Sequence, residues 1–179
     1  MRRLLLCVLL FAAWSGSASA QSEDKSFRAA LHAFNLRDYP TAYGIWRRLA
    51  DSDDARAEAS LGYMYYVGRG VPRSSRDAAA WFYRAANQGE STAQLFLAVM
   101  HYYADGVPKS LELSLMWCEL AMAGGQPDAL EWRGLIMDGM TSKQHEAAWR
   151  LVDRWYRIHD RAEAQHEAAG GKAAQDKMP

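Results

Sequence analysis

Leu61-Gly62-Tyr63-Met64-Tyr65-Tyr66-Val67-Gly68-Arg69-Gly70-Val71-Pro72 returns as Leu97-Ala98-Val99-Met100-His101-Tyr102-Tyr103-Ala104-Asp105-Gly106-Val107-Pro108, an offset of 97 − 61 = 36 residues. The same offset carries Ala80-Trp81 onto Met116-Trp117, and Gly89 with Ala93 onto Gly125 with Ala129. One shift holding across a whole unit is the mark of a repeat array, in which each unit buries its apolar face on its neighbours. A third copy begins at Arg133-Gly134-Leu135-Ile136 and lacks the Gly-Val-Pro element. Its tryptophan, Trp149, follows Trp117 by 149 − 117 = 32 residues, so its loop is shorter. A looser first copy is set by Ala42 and Trp46, in register with Ala78 and Phe82. Four helix pairs are expected, the outer two irregular because end units face water on one side.

The helix boundaries are written in side-chain chemistry. Ser52-Asp53-Asp54 supplies N-cap candidates ahead of Ala57, Leu61, Met64 and Tyr65, which recur at helical spacing. Gly68 and Gly70 stop that helix, and Ser74 with Asp77 resembles a capping box at the start of the next. Ala78, Trp81, Phe82, Ala85 and Ala86 make that helix's apolar face, so Trp81 and Trp117 are predicted to be buried at equivalent positions. Gly62, Ala98 and Gly134 fall in register, where close crossing of two helices would favour small residues. Ala148, Leu151, Val152, Trp155, Ile158 and Ala162 form the stripe of one long terminal helix from 142 to about 169. No segment alternates with period two, so no sheet is expected.

The run Ala57-x3-Leu61-Gly62-x-Met64-Tyr65-x2-Gly68-x-Gly70-Val71-Pro72, followed by Ala79-Ala80-Trp81-Phe82-x2-Ala85-Ala86-x2-Gly89, resembles the Sel-one-like repeat, a subclass of tetratricopeptide-like solenoids. The resemblance covers roughly residues 27–155 and is strongest over 57–129. It implies an all-α fold, a right-handed α/α solenoid of helix pairs, used as a protein-interaction scaffold and often found in bacterial envelopes. Two departures stand out: Arg133 replaces the leucine of Leu61 and Leu97, and the third loop has no Gly-Val-Pro.

The chain ends bear on destination. Arg2 and Arg3, the apolar run from Leu4 to Ala13 and the small residues of Ala18-Ser19-Ala20 read as a signal peptide over residues 1–20, cleaved before Gln21. The run is too short to span about 30 Å of hydrocarbon. Cys7 sits too early in it for a lipidation site. The mature chain of 179 − 20 = 159 residues suits one solenoid domain over 21–169, with a disordered tail at 170–179. Its charge, 19 basic against 21 acidic residues once Arg2 and Arg3 are removed, is 19 − 21 = −2. With no basic stripe either, nucleic acid is not an expected partner. No second apolar segment is long enough to cross a membrane. Only Cys118 remains after cleavage, so stability must come from packing rather than an internal disulfide. The periplasm, or the medium beyond it, is the expected location.

No residue pattern points to a catalytic residue, a cofactor or a metal. There is no phosphate loop, nucleophile elbow or zinc-peptidase helix. His159, Glu163, His166 and Glu167 share one helix face but read as a solvated charged face. His101 takes the repeat position of Tyr65 and reads as a packed, hydrogen-bonded histidine. Cys118 stands where Phe82 and Trp46 stand in other copies, which suggests a buried thiol. Arg150, Arg154, Arg157 and Arg161 lie on one helix side, with Glu146 and Asp153 placed for local pairs.

The tyrosines give the functional reading. With Leu61 and Met64 facing the partner helix, Tyr63 and Tyr66 point elsewhere, as do Val99, Tyr102 and Tyr103 in the next copy. Together with Leu135 they are expected either to line a concave aromatic groove or to pack between neighbouring units. On the groove reading, Arg56, Asp128, Glu131 and Asp138 supply polar groups on the same inner face. The expected function is a non-enzymatic envelope adaptor that binds a segment of another envelope or secreted protein. The alternatives are an exported hydrolase acting on cell-wall material and a structural subunit of an envelope assembly.

Overall fold

The computed structural model describes the backbone of residues 21–175 and the side chains of residues 21–160. The expected signal peptide at 1–20 and the end of the expected tail, 176–179, lie outside the described residues. Among the described residues every regular element is a helix and none is a strand. The helices are α1 (residues 21–35), α2 (Tyr39–Ala50), α3 (Ala55–Val67), α4 (Ser75–Asn87), α5 (Ser91–Tyr103), α6 (Leu111–Ala123), α7 (Ala129–Asp138) and α8 (Ser142–Gln175). They fall into two compact units, the first ending at Glu90 and the second beginning at Ser91. No described helix is long and apolar enough to cross a membrane.

In the first unit, α3 packs on α4 and on α2. Their core joins Ala30 and Ala33 of α1 to Ala42, Trp46, Leu49 and Ala50 of α2 and to Ala57, Leu61 and Met64 of α3. In the second unit, α6 is the hub: α5, α7 and α8 all pack against it. The repeat register decides what is buried. Ala57, Ala93 and Ala129 are sealed, as are Met64, Met100 and Ile136 one helical face along. Trp46, Phe82 and Cys118 occupy one register position and are buried in all three copies.

The helix starts are capped, at Asp54 and Ser74 as expected and at Ser110 in addition. Asp54 accepts from the N–H of Arg56 and of Ala57, Ser74 from Asp77, and Ser110 from Leu113. At the end of α3, Gly68 turns left-handed (φ 71°). Its register mate Ala104 takes the same conformation (φ 59°) without glycine's freedom.

The close crossing is real at two of its three expected positions. A Cβ on Gly62 would meet the Phe82 ring, and Ala98 O accepts a 2.7 Å hydrogen bond from the Ser114 hydroxyl of α6. Gly134 does not share it: open space surrounds its missing Cβ. The neighbouring register leucine is Arg133 there, and it turns aside to pair with Glu119 of α6.

Trp81 also departs from expectation. Trp117 is buried, but Trp81 is half-buried, its ring facing the guanidinium groups of Arg47 and Arg84 at 5.2 and 5.0 Å. Charged side chains that also reach water close this site.

Helix α8 covers α6 with Ala148 and Val152, whereas Ile158 of the same stripe is exposed. At 1.5 Å per residue α8 is about 50 Å long against about 20 Å for α6, so its far end outruns the surface it covers. The helix continues beyond residue 169 to Gln175.

Candidate functional site

The first unit commits most of its candidate residues to packing. The Arg56 guanidinium donates to Asp54 (2.9 Å) and Asp24 (3.3 Å) and lies 4.6 Å from the Phe27 ring centre, tying α1 to α3. Tyr63 meets Phe34 edge-on at 6.1 Å and Tyr66 meets Phe82 at 6.4 Å. Both are half-buried. Tyr65, Asp77, Ala80, Trp81 and Arg84 line a cleft of about 320 Å³.

In the second unit one ring of the expected set, Tyr103, stays exposed, while Tyr102 is half-buried. Tyr102 and Tyr103 end α5 and stand edge-to-face at 5.0 Å. Each also meets Trp132 of α7 at 6.0 Å, closing a three-ring cluster. Tyr103 is 63% exposed and Leu135 46%, while Val99, one turn back on α5, is half-buried. A cleft of about 720 Å³ runs along α7, lined by Asp128, Glu131, Trp132, Leu135 and Asp138. These residues follow helical spacing, so they present one face. Within this unit Tyr102, Tyr103 and Leu135 gather around Trp132, with Val99 behind them.

Trp132 was not among the sequence candidates. Its signal was present: Trp132 follows Phe96 by 132 − 96 = 36, so an aromatic side chain recurs at that register position.

The groups best suited to reactive chemistry are occupied otherwise. His101 is buried, with Nδ1 2.9 Å from Pro108 O, which makes Nδ1–H the donor and ties helix to loop. Burial pushes its pKa below the usual histidine value, despite the opposing pull of that carbonyl. The Cys118 thiol is sealed, donates to Ala129 O at 3.1 Å, and is pushed up to about 12 by burial. Glu58 is buried against Arg84 and Gln88, and burial raises its pKa against Arg84's opposing charge.

His159 stacks on Trp155 at 3.6 Å with Nδ1 2.8 Å from Trp155 O. The side chains of Glu163, His166 and Glu167 lie outside the described residues. Arg150 and Arg157 pair with Glu146 and Asp153 along the helix, in the expected local manner.

The family model of the Sel1 repeat matches residues 55–90 and 91–125. A protective antigen present in uropathogenic Escherichia coli strains, whose crystal structure displays an SLR fold, aligns with 80% of this chain at 25% identity and a TM-score of 0.72. The chain spans 32% of that antigen's length. A Sel1 repeat protein from Oxalobacter formigenes aligns over 69% of this chain and 96% of its own, at 27% identity and a TM-score of 0.58. No curated protein sequence matches.

Proposed function

We propose that the chain, in which the Sel1 repeat recurs over residues 55–90 and 91–125 and which aligns with SLR-fold structures, is a protein-interaction module: a non-catalytic adaptor of the bacterial cell envelope, binding a polypeptide segment through its aromatic surface. The observation that carries this reading is the Tyr102–Tyr103–Trp132 cluster beside the α7 cleft. Exposed Tyr103 and Leu135 leave apolar area beside the half-buried Tyr102 and Trp132 that a partner would cover, and Tyr and Trp are enriched among the residues that carry most binding energy at protein interfaces. His101 and Cys118, the groups most useful to a nucleophilic enzyme, are held in packing roles, which favours scaffold over hydrolase. Envelope location rests on the charged, apolar and small-residue order of residues 1–20.

Two measurements test the proposal. Capture from envelope extract should retain a partner with the wild type and lose it with Tyr103→Ser, while the circular dichroism and thermal midpoint stay unchanged, because that ring is already exposed. A Tyr103→Ser chain that captures as well as wild type would remove this surface from the function. Fractionation of cells producing the full chain should place it in the periplasm with Gln21 as its first residue. A cytoplasmic, uncleaved chain would remove the envelope from the proposal.

A further inference from the structure

Three carboxylates share the α7 cleft with Trp132 of the aromatic cluster. Asp128, Glu131 and Asp138 are exposed, and their side chains have no hydrogen-bond or ion-pair partner among the described residues. Other acidic side chains of the same unit are paired: Glu119 with Arg133, Glu146 with Arg150, Asp153 with Arg157. Lys109 places Nζ 5.9 Å from the Tyr102 ring centre and forms no ion pair with a described carboxylate. Negative charge is therefore concentrated along one helix face whose apolar floor is Trp132 and Leu135.

We infer that this cleft recognises a basic segment of the partner polypeptide. An arginine or lysine side chain of the segment lies against Trp132 or Tyr103, and further basic side chains along it meet Asp128, Glu131 and Asp138, which are spread over about 15 Å of α7. The inference rests on the partner-binding reading above and adds the chemistry of the ligand. Ring faces attract cations, Trp most strongly, and flanking carboxylates deepen that attraction. A neutral apolar segment laid in the same cleft would shield three carboxylates from water without compensating them. A bare metal ion does not fit, since no described group of three or more His, Cys, Asp or Glu side chains is close enough together to hold one.

The test uses the full chain and fluorescent synthetic peptides of one length, alternating leucine with arginine, glutamine or glutamate, read by anisotropy at low and high salt. The arginine peptide should bind about tenfold more tightly than the glutamine peptide, the worth of a few exposed ion pairs. The glutamate peptide should not bind, and salt should weaken the arginine peptide alone. The combined Asp128→Asn, Glu131→Gln and Asp138→Asn variant should bind arginine and glutamine peptides alike. Tyr103→Ser should weaken both peptides together. Equal binding of the arginine and glutamine peptides by wild type, or an unaltered triple variant, overturns the basic-segment inference but leaves the aromatic reading standing if Tyr103→Ser still weakens binding. Unaltered binding by Tyr103→Ser removes both. A chain that self-associates on concentration and excludes the arginine peptide assigns the cleft to a second copy and also overturns the inference.

Discussion

Alanine at Gly62 and alanine at Gly134 should move stability in opposite directions, although the two glycines hold the same place in their repeats. At Gly62 the new Cβ would lie 2.7 Å from Cδ1 and Cε1 of Phe82 and 3.1 Å from its Cγ. Carbon atoms settle at about 3.5–4.0 Å, so the ring must retreat by about 1 Å. Phe82 is fully buried and already meets Tyr66, which leaves it little room. Overpacking of this kind costs about 1–3 kcal/mol, and removing a helical glycine returns about 1 kcal/mol. Gly62→Ala should therefore lose about 1 kcal/mol, a fall of about 2–4 °C in thermal midpoint for a chain of this size. At Gly134 nothing lies within 4 Å of the missing Cβ. Only the helix term remains, and Gly134→Ala should gain about 0.5–1 kcal/mol. Urea and thermal unfolding of both variants against wild type, followed by circular dichroism, measure the two signs. A Gly62→Ala protein as stabilised as Gly134→Ala would mean that α3 and α4 do not cross tightly at Phe82.

Glu58 should give a pH signature. Its folded pKa is raised above the ordinary 4.5 by burial, with Arg84 opposing and Asp53 adding to the rise. The folded chain thus holds this proton more tightly than the unfolded chain. The resulting stability is fully present below 4.5 and lost as pH rises through the raised value. Wild type should gain stability relative to Glu58→Gln as pH is lowered from neutrality, seen as diverging urea midpoints; parallel midpoints would refute the buried, ionisable Glu58. The amide itself is tolerated, since Gln94 is buried at the equivalent register position. Cys118 should resist alkylation in the native chain and react on denaturation, followed by peptide mass spectrometry, because a sealed thiol pushed up to about 12 offers almost no thiolate. Rapid native labelling would place it at an accessible surface.

What the sequence determined by itself was the helical register. The offset of 36 located the helices, and with them the buried positions of Leu61 and Leu97 and of Met64, Met100 and Ile136. It also put Cys118 in the core beside the register of Trp46 and Phe82. Caps at Asp54 and Ser74 were legible for the same reason: helix periodicity and cap chemistry act over a few residues, and the chain alone contains both partners. Tertiary structure alone decided which of the remaining faces stays open. Tyr63 and Tyr66 share the register of Val99 and Tyr102, yet Tyr63 meets Phe34 of α1 and Tyr66 meets Phe82 of α4. Tyr102, half-buried like them, and the exposed Tyr103 gather instead on Trp132 of α7, which lines a cleft. The same division separates Gly62 from Gly134 and Trp117 from Trp81. A residue's period fixes the direction in which its side chain leaves the helix, but its exposure depends on what the neighbouring helix brings to meet it, and that neighbour is set by packing across the fold.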